Sequence, residues 1–452
     1  MLKGMSVAAT TLGCKVNQAE TDSMLDMLKA AGANIVEFDE KADIYIVNTC
    51  SVTNIADKKS RQMLHRARKM NPDGIVIAAG CYVQSAREIL EQDEAIDIVI
   101  SNNKKKSITE IVNDYINVRN NEKNAPGKDH EAMEYFVDIS RETEYEEMGG
   151  HVPVGHTRAY VKIQDGCNQF CSYCIIPYVR GRIRSRSQEA ILAEVSELAE
   201  AGIKEVVLTG IHISSYGKDK NNEGALIELI EAISKIKGIK RIRLGSLEPG
   251  IITEEFVERI SSNSKVCPHF HLSLQSGCDS VLKRMNRKYT CEQYFEKCDM
   301  LRKAYKSPAL TTDVIVGFPG ETEEEFAETV RYLTELNLYE MHIFKYSPRK
   351  GIVAAAMKEQ VAPEIKNERS DVLLKLAHDN KTAYEAQFEG CELEVLVEEV
   401  VKKDNKTYLR GHTERYMDIL IDVGDISMPE SFVNSFVYVT YTQNGGNLPL
   451  LL

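Results

Sequence analysis

Three thiols at CxxxCxxC spacing, Cys167-Asn-Gln-Phe-Cys171-Ser-Tyr-Cys174, constrain this chain more than any other feature in it. They follow Ala159-Tyr-Val-Lys-Ile-Gln-Asp165, whose alternation reads as a strand. A short loop leaving a strand brings three thiolates onto one inorganic centre, the way iron–sulfur clusters are held. A zinc knuckle wants a fourth Cys or His nearby, and the residues that follow, Ile175-Ile176-Pro177-Tyr178, supply none. A redox dithiol is the remaining alternative. With three ligands, a [4Fe–4S] cube keeps one iron open for a substrate or cofactor.

A chain of 452 residues has room for two or three domains. Its eleven Cys are odd in number and scattered, which argues against a disulfide framework and for a reducing cytoplasm with thiols used for metal. No apolar run reaches the roughly 18–20 residues that span a bilayer. The opening Met-Leu-Lys-Gly-Met-Ser has no signal-peptide core, so a cytoplasmic protein with no membrane partner is expected. A net charge of −12 excludes a whole-surface grip on nucleic acid while leaving room for local basic patches.

Residues 1–118 read as strand–helix alternation, with strands at Ser6–Leu12, Ile44–Asn48, Ile75–Ala79 and Ile96–Ile100, and so as a doubly wound α/β domain. Cys14, Cys50 and Cys81 each fall just past a strand's C-terminal end, the edge where open α/β sheets bind ligands. Ordinary buried thiols belong inside strands, so three at strand-end turns point to a second metal centre; the plainer alternative is three core residues. Between them, Ala56, Ser60, Met63, Ala67 and Met70 form a core stripe on a helix whose other faces carry Lys58, Lys59, Arg61, His65, Arg66, Arg68 and Lys69. That basic surface is either simply solvated or a phosphate contact.

A Glu-rich linker is expected at 119–145. Residues 146–376 resume the alternation for six β/α units, which suggests a partial (β/α)6 barrel with its site at the C-terminal mouth of the strands. Arg180, Arg182, Arg184 and Arg186 follow the Cys loop and read equally as a solvated strand or as anion binders. Residues 377–445 change to short alternating strands and predict a small all-β barrel. There Tyr408, Arg410, His412, Arg415 and Tyr416 interleave aromatic and basic groups as RNA-binding modules do.

These motifs carry a resemblance. CxxxCxxC after a strand resembles the radical S-adenosylmethionine (SAM) superfamily. Thr11-Leu-Gly-Cys14-Lys-Val-Asn-Gln18, Asn48-Thr-Cys50-Ser-Val-Thr-Asn54 and Gly80-Cys81-Tyr resemble the N-terminal domain of the methylthiotransferase family, and the C-terminal strands are similar to that family's TRAM domain. Lys162-Ile-Gln-Asp-Gly-Cys167-Asn, Leu208-Thr-Gly-Ile-His212 and Leu274-Gln-Ser-Gly-Cys278-Asp are closest to its MtaB type; Gly351-Ile-Val-Ala354 departs from the family's usual Gly-Thr-Pro-Ala. The resemblance implies a transferase that methylthiolates C2 of N6-threonylcarbamoyladenosine at position 37 of tRNA. It implies two [4Fe–4S] clusters, one on Cys167, Cys171 and Cys174 that binds and cleaves SAM, the other on Cys14, Cys50 and Cys81 that carries the sulfur. A flavodoxin- or ferredoxin-like electron donor and a sulfur source are implied partners. Strand-end positions nominate Thr209, Gly210, Ser246, Glu248 and Gln275 for SAM contact. The basic helix, the Arg180–Arg186 run and the β module are nominated for the anticodon stem-loop. Another tRNA adenosine, a ribosomal protein, or a non-enzymatic iron–sulfur RNA binder are the alternatives.

Overall fold

Six parallel strands build the first sheet of the computed structural model, which describes residues 2–122, 133–149, 157–404, 406–424, 428–443 and 445–447. They are β1 (Ser6–Thr11), β2 (Asn34–Ile35), β3 (Ile44–Thr49), β4 (Ile75–Gly80), β5 (Ile98–Ile100) and β6 (Met133–Tyr135), in the order β2-β1-β3-β4-β5-β6. Val7, Ile44, Ile46, Ile77 and Ile98 face the helices Lys15–Ala30 and Ile108–Glu122, while Tyr45, Val47, Val76 and Val99 face the helix Asn54–Met70. Both faces are covered, so β3 and β4 are buried along their whole length and read as continuous apolar runs. The edge strands β2 and β6 escape sequence reading: two or three residues are too short for a period. β6 lies in the stretch expected to be linker; Lys123–Gly127 of that stretch, and Gly150, lie outside the described residues.

The second unit contains β7 (Arg158–Asp165), β8 (Arg184–Ser185), β9 (Glu205–Gly210), β10 (Arg241–Leu244), β11 (His269–His271), β12 (Ala309–Val316) and β13 (Glu340–Lys345). β7, β9 and β10 are parallel, as are β11, β12 and β13, and bridges at Ile242–Val266 and Leu247–Leu272 join the two sets into one open barrel of six parallel strands. β8 pairs antiparallel on the free edge of β7. Ala159, Val161 and Ile163 pack outward on the helices, which turns Arg158, Tyr160, Lys162 and Gln164 into the lumen. Thr322 and Glu325 form a capping box on the helix Glu323–Leu336, and Thr290 with Gln293 forms another on Cys291–Ala304.

The last unit is a closed barrel of β14 (Glu392–Lys403), β15 (Lys406–Thr413), β16 (Asp418–Asp422), β17 (Phe436–Thr442) and β18 (Gly445–Asn447). It seals the N-terminal end of the open barrel. Arg241 donates to the His412 carbonyl (3.0 Å), Arg243 to the Glu414 carbonyl (2.9 Å) and Arg415 to the Ser307 carbonyl (3.0 Å). Arg243 also pairs with the buried Glu205 at 2.7 Å. Burial opposes the Glu205 charge, but Arg243 outweighs it and holds the carboxyl below its ordinary value. Arg243→Met leaves that carboxylate buried with only the longer Arg241 contact at 3.8 Å, so a loss of about 3 kcal/mol is expected in denaturant unfolding, partly restored by adding Glu205→Gln.

Candidate active site

Hydrogen bonds between loops assemble the first thiol triad. The Asn17 carboxamide donates to the Leu12 carbonyl (2.7 Å) and the Thr49 carbonyl (2.9 Å), tying the Cys14 loop to the Cys50 loop. The Thr49 hydroxyl donates to the Ala79 carbonyl (2.6 Å), tying Cys50 to Cys81. Gly13 has φ +105°, and a Cβ there would lie 2.7 Å from the Cys50 sulfur, so only glycine lets this turn carry Cys14 against Cys50. Burial pushes the Cys50 thiol up to about 11, with the Cys81 and Cys14 thiols adding to it.

The second triad is held by its own loop. The Cys167 amide donates to the Gly181 carbonyl (3.0 Å) and the Cys174 amide to the Cys171 carbonyl (3.0 Å). Burial raises the Cys167 thiol to about 11 and Cys174 to about 12. Gly166 turns the chain from β7 into the loop at φ +72°, and a Cβ there would sit 1.8 Å from the Arg182 carbonyl oxygen. Gly166→Ala is therefore expected to open the loop and to lower the iron bound by the reconstituted chain, measured by iron assay.

Both triads fit an iron–sulfur centre by their donor sets. All six thiols are free, and N–H groups are aimed at sulfur: Arg180 Nε at Cys81 (3.3 Å), Arg287 Nη1 at Cys171 (3.3 Å) and the Gln169 amide at Cys167 (3.4 Å). Such donors stabilise thiolate charge. The triads are also neighbours. Cys81 packs with Ile175, Val179 and Ile352 in one buried apolar group, and Ile175 is the residue after Cys174. Asn102 donates to the Val179 carbonyl (2.7 Å), and Arg349 reaches from the open barrel to Ser51 (2.6 Å), Asn54 (2.8 Å) and Asp57 (2.7 Å) beside Cys50.

Arg180 is the centre of this junction and is wholly buried. Besides Cys81 it donates to Glu20 (3.0 Å from Nη2), Asp165 (3.1 Å) and Asn17. Lys105 and Lys162 also meet Glu20, and Lys162 meets Asp165 at 2.7 Å. Burial opposes the Glu20 charge, yet Arg180, Lys105 and Lys162 hold it well below the usual carboxylate range.

The arginine run therefore does not form an RNA grip. Arg184 is buried against the Arg180 and Arg182 carbonyls, Arg186 is paired with Glu147 and Glu194, and Arg182 alone of the four is exposed, stacked over Phe170 at 4.4 Å. Only the fold turns these side chains inward, onto partners as near as the Arg182 carbonyl and as far as Glu20, so the spacing carried no sign of them. On the basic helix the buried stripe is Ser60, Leu64 and Ala67, with Leu64 in place of the expected Met63 at its centre. His65, Arg66 and Arg68 pair with Asp93, Asp39 and Asp97, which leaves Lys58, Lys59, Lys69 and Arg61, the last held on Tyr82, as its exposed cations with no ion pair among the described residues. In the C-terminal barrel, His412, Arg415 and Tyr416 turn inward to the open barrel instead of outward. His412 meets Glu398 (2.9 Å), and Tyr416 stacks on His412 at 4.6 Å between ring centres. Arg410, paired with Asp418 at 2.7 Å, stays outside.

Of the residues nominated for SAM, Glu248 stands nearest the second triad's chemistry. It lies 3.3 Å from Arg287, the arginine on Cys171, and 3.5 Å from His212, and it lines a cleft of about 490 Å³ with His212, Gln169 and Tyr289. Ser246 is exposed, Thr209 and Gln275 are buried, and Gly210 lies against the Gln164 carbonyl. Further into the lumen, His271, Asp313 and His342 stand on β11, β12 and β13 with their ligand atoms within 4.8 Å of one another, an arrangement able to hold a divalent metal. Neither Arg287 nor this cluster is marked in the sequence: strand pairing brings the cluster together, and Arg287 reaches Cys171 from the turn after the helix Asp279–Arg284.

Comparison with known proteins agrees with this architecture. The chain matches the radical SAM superfamily over residues 161–333, which implies a [4Fe–4S] cluster and SAM, and the group described as uncharacterized protein family UPF0004 over residues 6–101. It is 39% identical to threonylcarbamoyladenosine tRNA methylthiotransferase MtaB of Bacillus subtilis (strain 168), over 92% of this chain and 90% of that one. It is 35% identical to tRNA-2-methylthio-N(6)-dimethylallyladenosine synthase of Thermoanaerobacter pseudethanolicus, over 96% of this chain and 90% of that one. Among solved structures, the radical SAM methyltransferase TsrM of Kitasatospora setae superposes with a TM-score of 0.57 at 14% identity, over 78% of this chain and 77% of that one, a likeness of fold. The chain belongs to the radical SAM methylthiotransferase family.

Proposed function

We propose that this chain methylthiolates C2 of N6-threonylcarbamoyladenosine at position 37 of tRNA. The observation that carries the reading is the junction of the two thiol triads, where Cys81 packs on the residue after Cys174 and Arg180 spans from the second triad's loop to the first. Cys167, Cys171 and Cys174 would hold one [4Fe–4S] cluster, and Cys14, Cys50 and Cys81 a second. When bound, SAM and these clusters supply the radical, the sulfur and the methyl group. The chain's own part is to hold and enclose. Arg287, tied to Cys171, Glu248 and Tyr289, sets a fixed positive charge beside the cleft for the carboxylate end of a bound cofactor. The C-terminal barrel closes the lumen floor against water, which protects a reactive centre.

The identity of the base rests on the lumen lining. Arg158, Tyr160, His271, Asp313 and His342 make a polar wall, which suits a threonylcarbamoyl group, with its carboxylate and hydroxyl, and poorly suits an apolar dimethylallyl group. The test uses reconstituted, chemically reduced protein with SAM and anticodon stem-loop RNAs carrying either substituent. The methylthio product is expected on the threonylcarbamoyl RNA; product on the dimethylallyl RNA alone would overturn the choice of substrate.

A further inference from the structure

We infer that the Lys15 ammonium is the receptor for a carboxylate on the N6 substituent of the substrate base. The inference deepens the function proposed above and rests on it. Lys15 opens the helix Lys15–Ala30, directly after Cys14, and its side chain leaves the N-terminal domain for the lumen of the open barrel. Its Nζ stands 5.8 Å from the ring centre of Tyr160 on β7 and 5.8 Å from that of Tyr416. Tyr416 in turn lies under the guanidinium groups of Arg158 (5.0 Å) and Arg243 (4.7 Å).

The other cations of this chamber have acids of their own. Arg158 pairs with Glu398 at 3.1 Å, Arg243 with Glu205 at 2.7 Å, and His271 faces Asp313 at 3.4 Å. Lys15 makes neither a hydrogen bond nor an ion pair among the described residues, and holds only its two aromatic contacts. Arg158 and Arg243 stand on the same Tyr416 ring, so like charge crowds the Lys15 ammonium at a cost that its exposure to solvent relieves only in part. An anion placed beside it would remove that cost and form a charge-assisted pair. Tyr160 and Tyr416 offer flat apolar walls for the rest of the substituent. A threonylcarbamoyl group ends in a carboxylate; a dimethylallyl group has nothing to offer an ammonium and would leave it unpaired. A site built for a polar group rejects an analogue lacking it far more strongly than an apolar site rejects an added methyl. Lys15 thus selects the substrate.

The test measures binding of fluorescent anticodon stem-loop RNA to cluster-reconstituted protein, with three RNAs: the threonylcarbamoyl form, its methyl ester and the dimethylallyl form. Wild type is expected to bind the acid about tenfold or more tightly than the ester. Lys15→Met is expected to bind acid and ester alike, and Lys15→Arg to keep the preference. The ester comparison on wild type needs no variant, so it decides the matter even where Lys15→Met fails to fold. If wild type methylthiolates the acid but binds the ester equally well, or Lys15→Met keeps the preference, the inference falls and the proposed function stands. If wild type binds and modifies only the dimethylallyl RNA, both fall together.

Discussion

Replacing Cys14, Cys50 and Cys81 together by Ala is expected to lower reconstituted iron from about eight to about four per chain and to abolish methylthio transfer, while SAM is still cleaved to 5′-deoxyadenosine. The split follows from the architecture. The three thiols stand just past the C-terminal ends of β1, β3 and β4 of the N-terminal sheet, and nothing in the Cys167–Cys174 loop depends on their side chains for its backbone hydrogen bonds. Cys50 and Cys81 are small buried side chains, so their truncation removes little packing beside the many apolar residues of the same sheet. Iron assay and product chromatography on one sample read both effects. An unchanged iron count would contradict a metal site at this triad, and loss of 5′-deoxyadenosine would contradict the independence of the two.

Arg180→Met should have the largest effect on how the two thiol-bearing domains are held together. The variant removes the group that joins Glu20 and Asn17 of the first domain to Asp165 of the second, in a wholly buried setting. Breaking a buried ionic network from one side costs about 3–5 kcal/mol, which thermal or denaturant unfolding of the full chain would register. Arg180→Lys is expected to recover little, because a single ammonium cannot fork to two carboxylates, an amide and a sulfur at once. A second readout separates electrostatics from stability. Losing a positive charge and an N–H···S contact at Cys81 should lower the reduction potential of a cluster held there. An Arg180→Met protein with wild-type stability would show that the junction is held by other contacts.

Much of this architecture is legible in the sequence, for identifiable reasons. β3 and β4 are buried at every position and open with the apolar runs Ile44-Tyr-Ile-Val47 and Ile75-Val-Ile-Ala-Ala79, and the helices Glu254–Ser261, Cys291–Ala304 and Glu323–Leu336 carry Thr caps at their starts, so period and punctuation agree. The strand-end placement of Cys14, Cys50 and Cys81 is visible because the strands before them are. What stays hidden depends on partners that only the fold brings near. Arg180, Arg184 and Arg186 look like a basic strand until Glu20, Asp165 and Glu194 arrive around them. His412 and Tyr416 look like an RNA surface until the open barrel meets them. The ammonium of Lys15 is ordinary in a charged helix and becomes singular only in a chamber where its neighbours are already paired.

The most direct test of the central claim is mass spectrometry of tRNA nucleosides from a strain lacking this gene, with and without its return. Loss and recovery of 2-methylthio-N6-threonylcarbamoyladenosine is the expected result. A nucleoside profile in which that species is unchanged while 2-methylthio-N6-dimethylallyladenosine disappears would contradict the substrate assigned here.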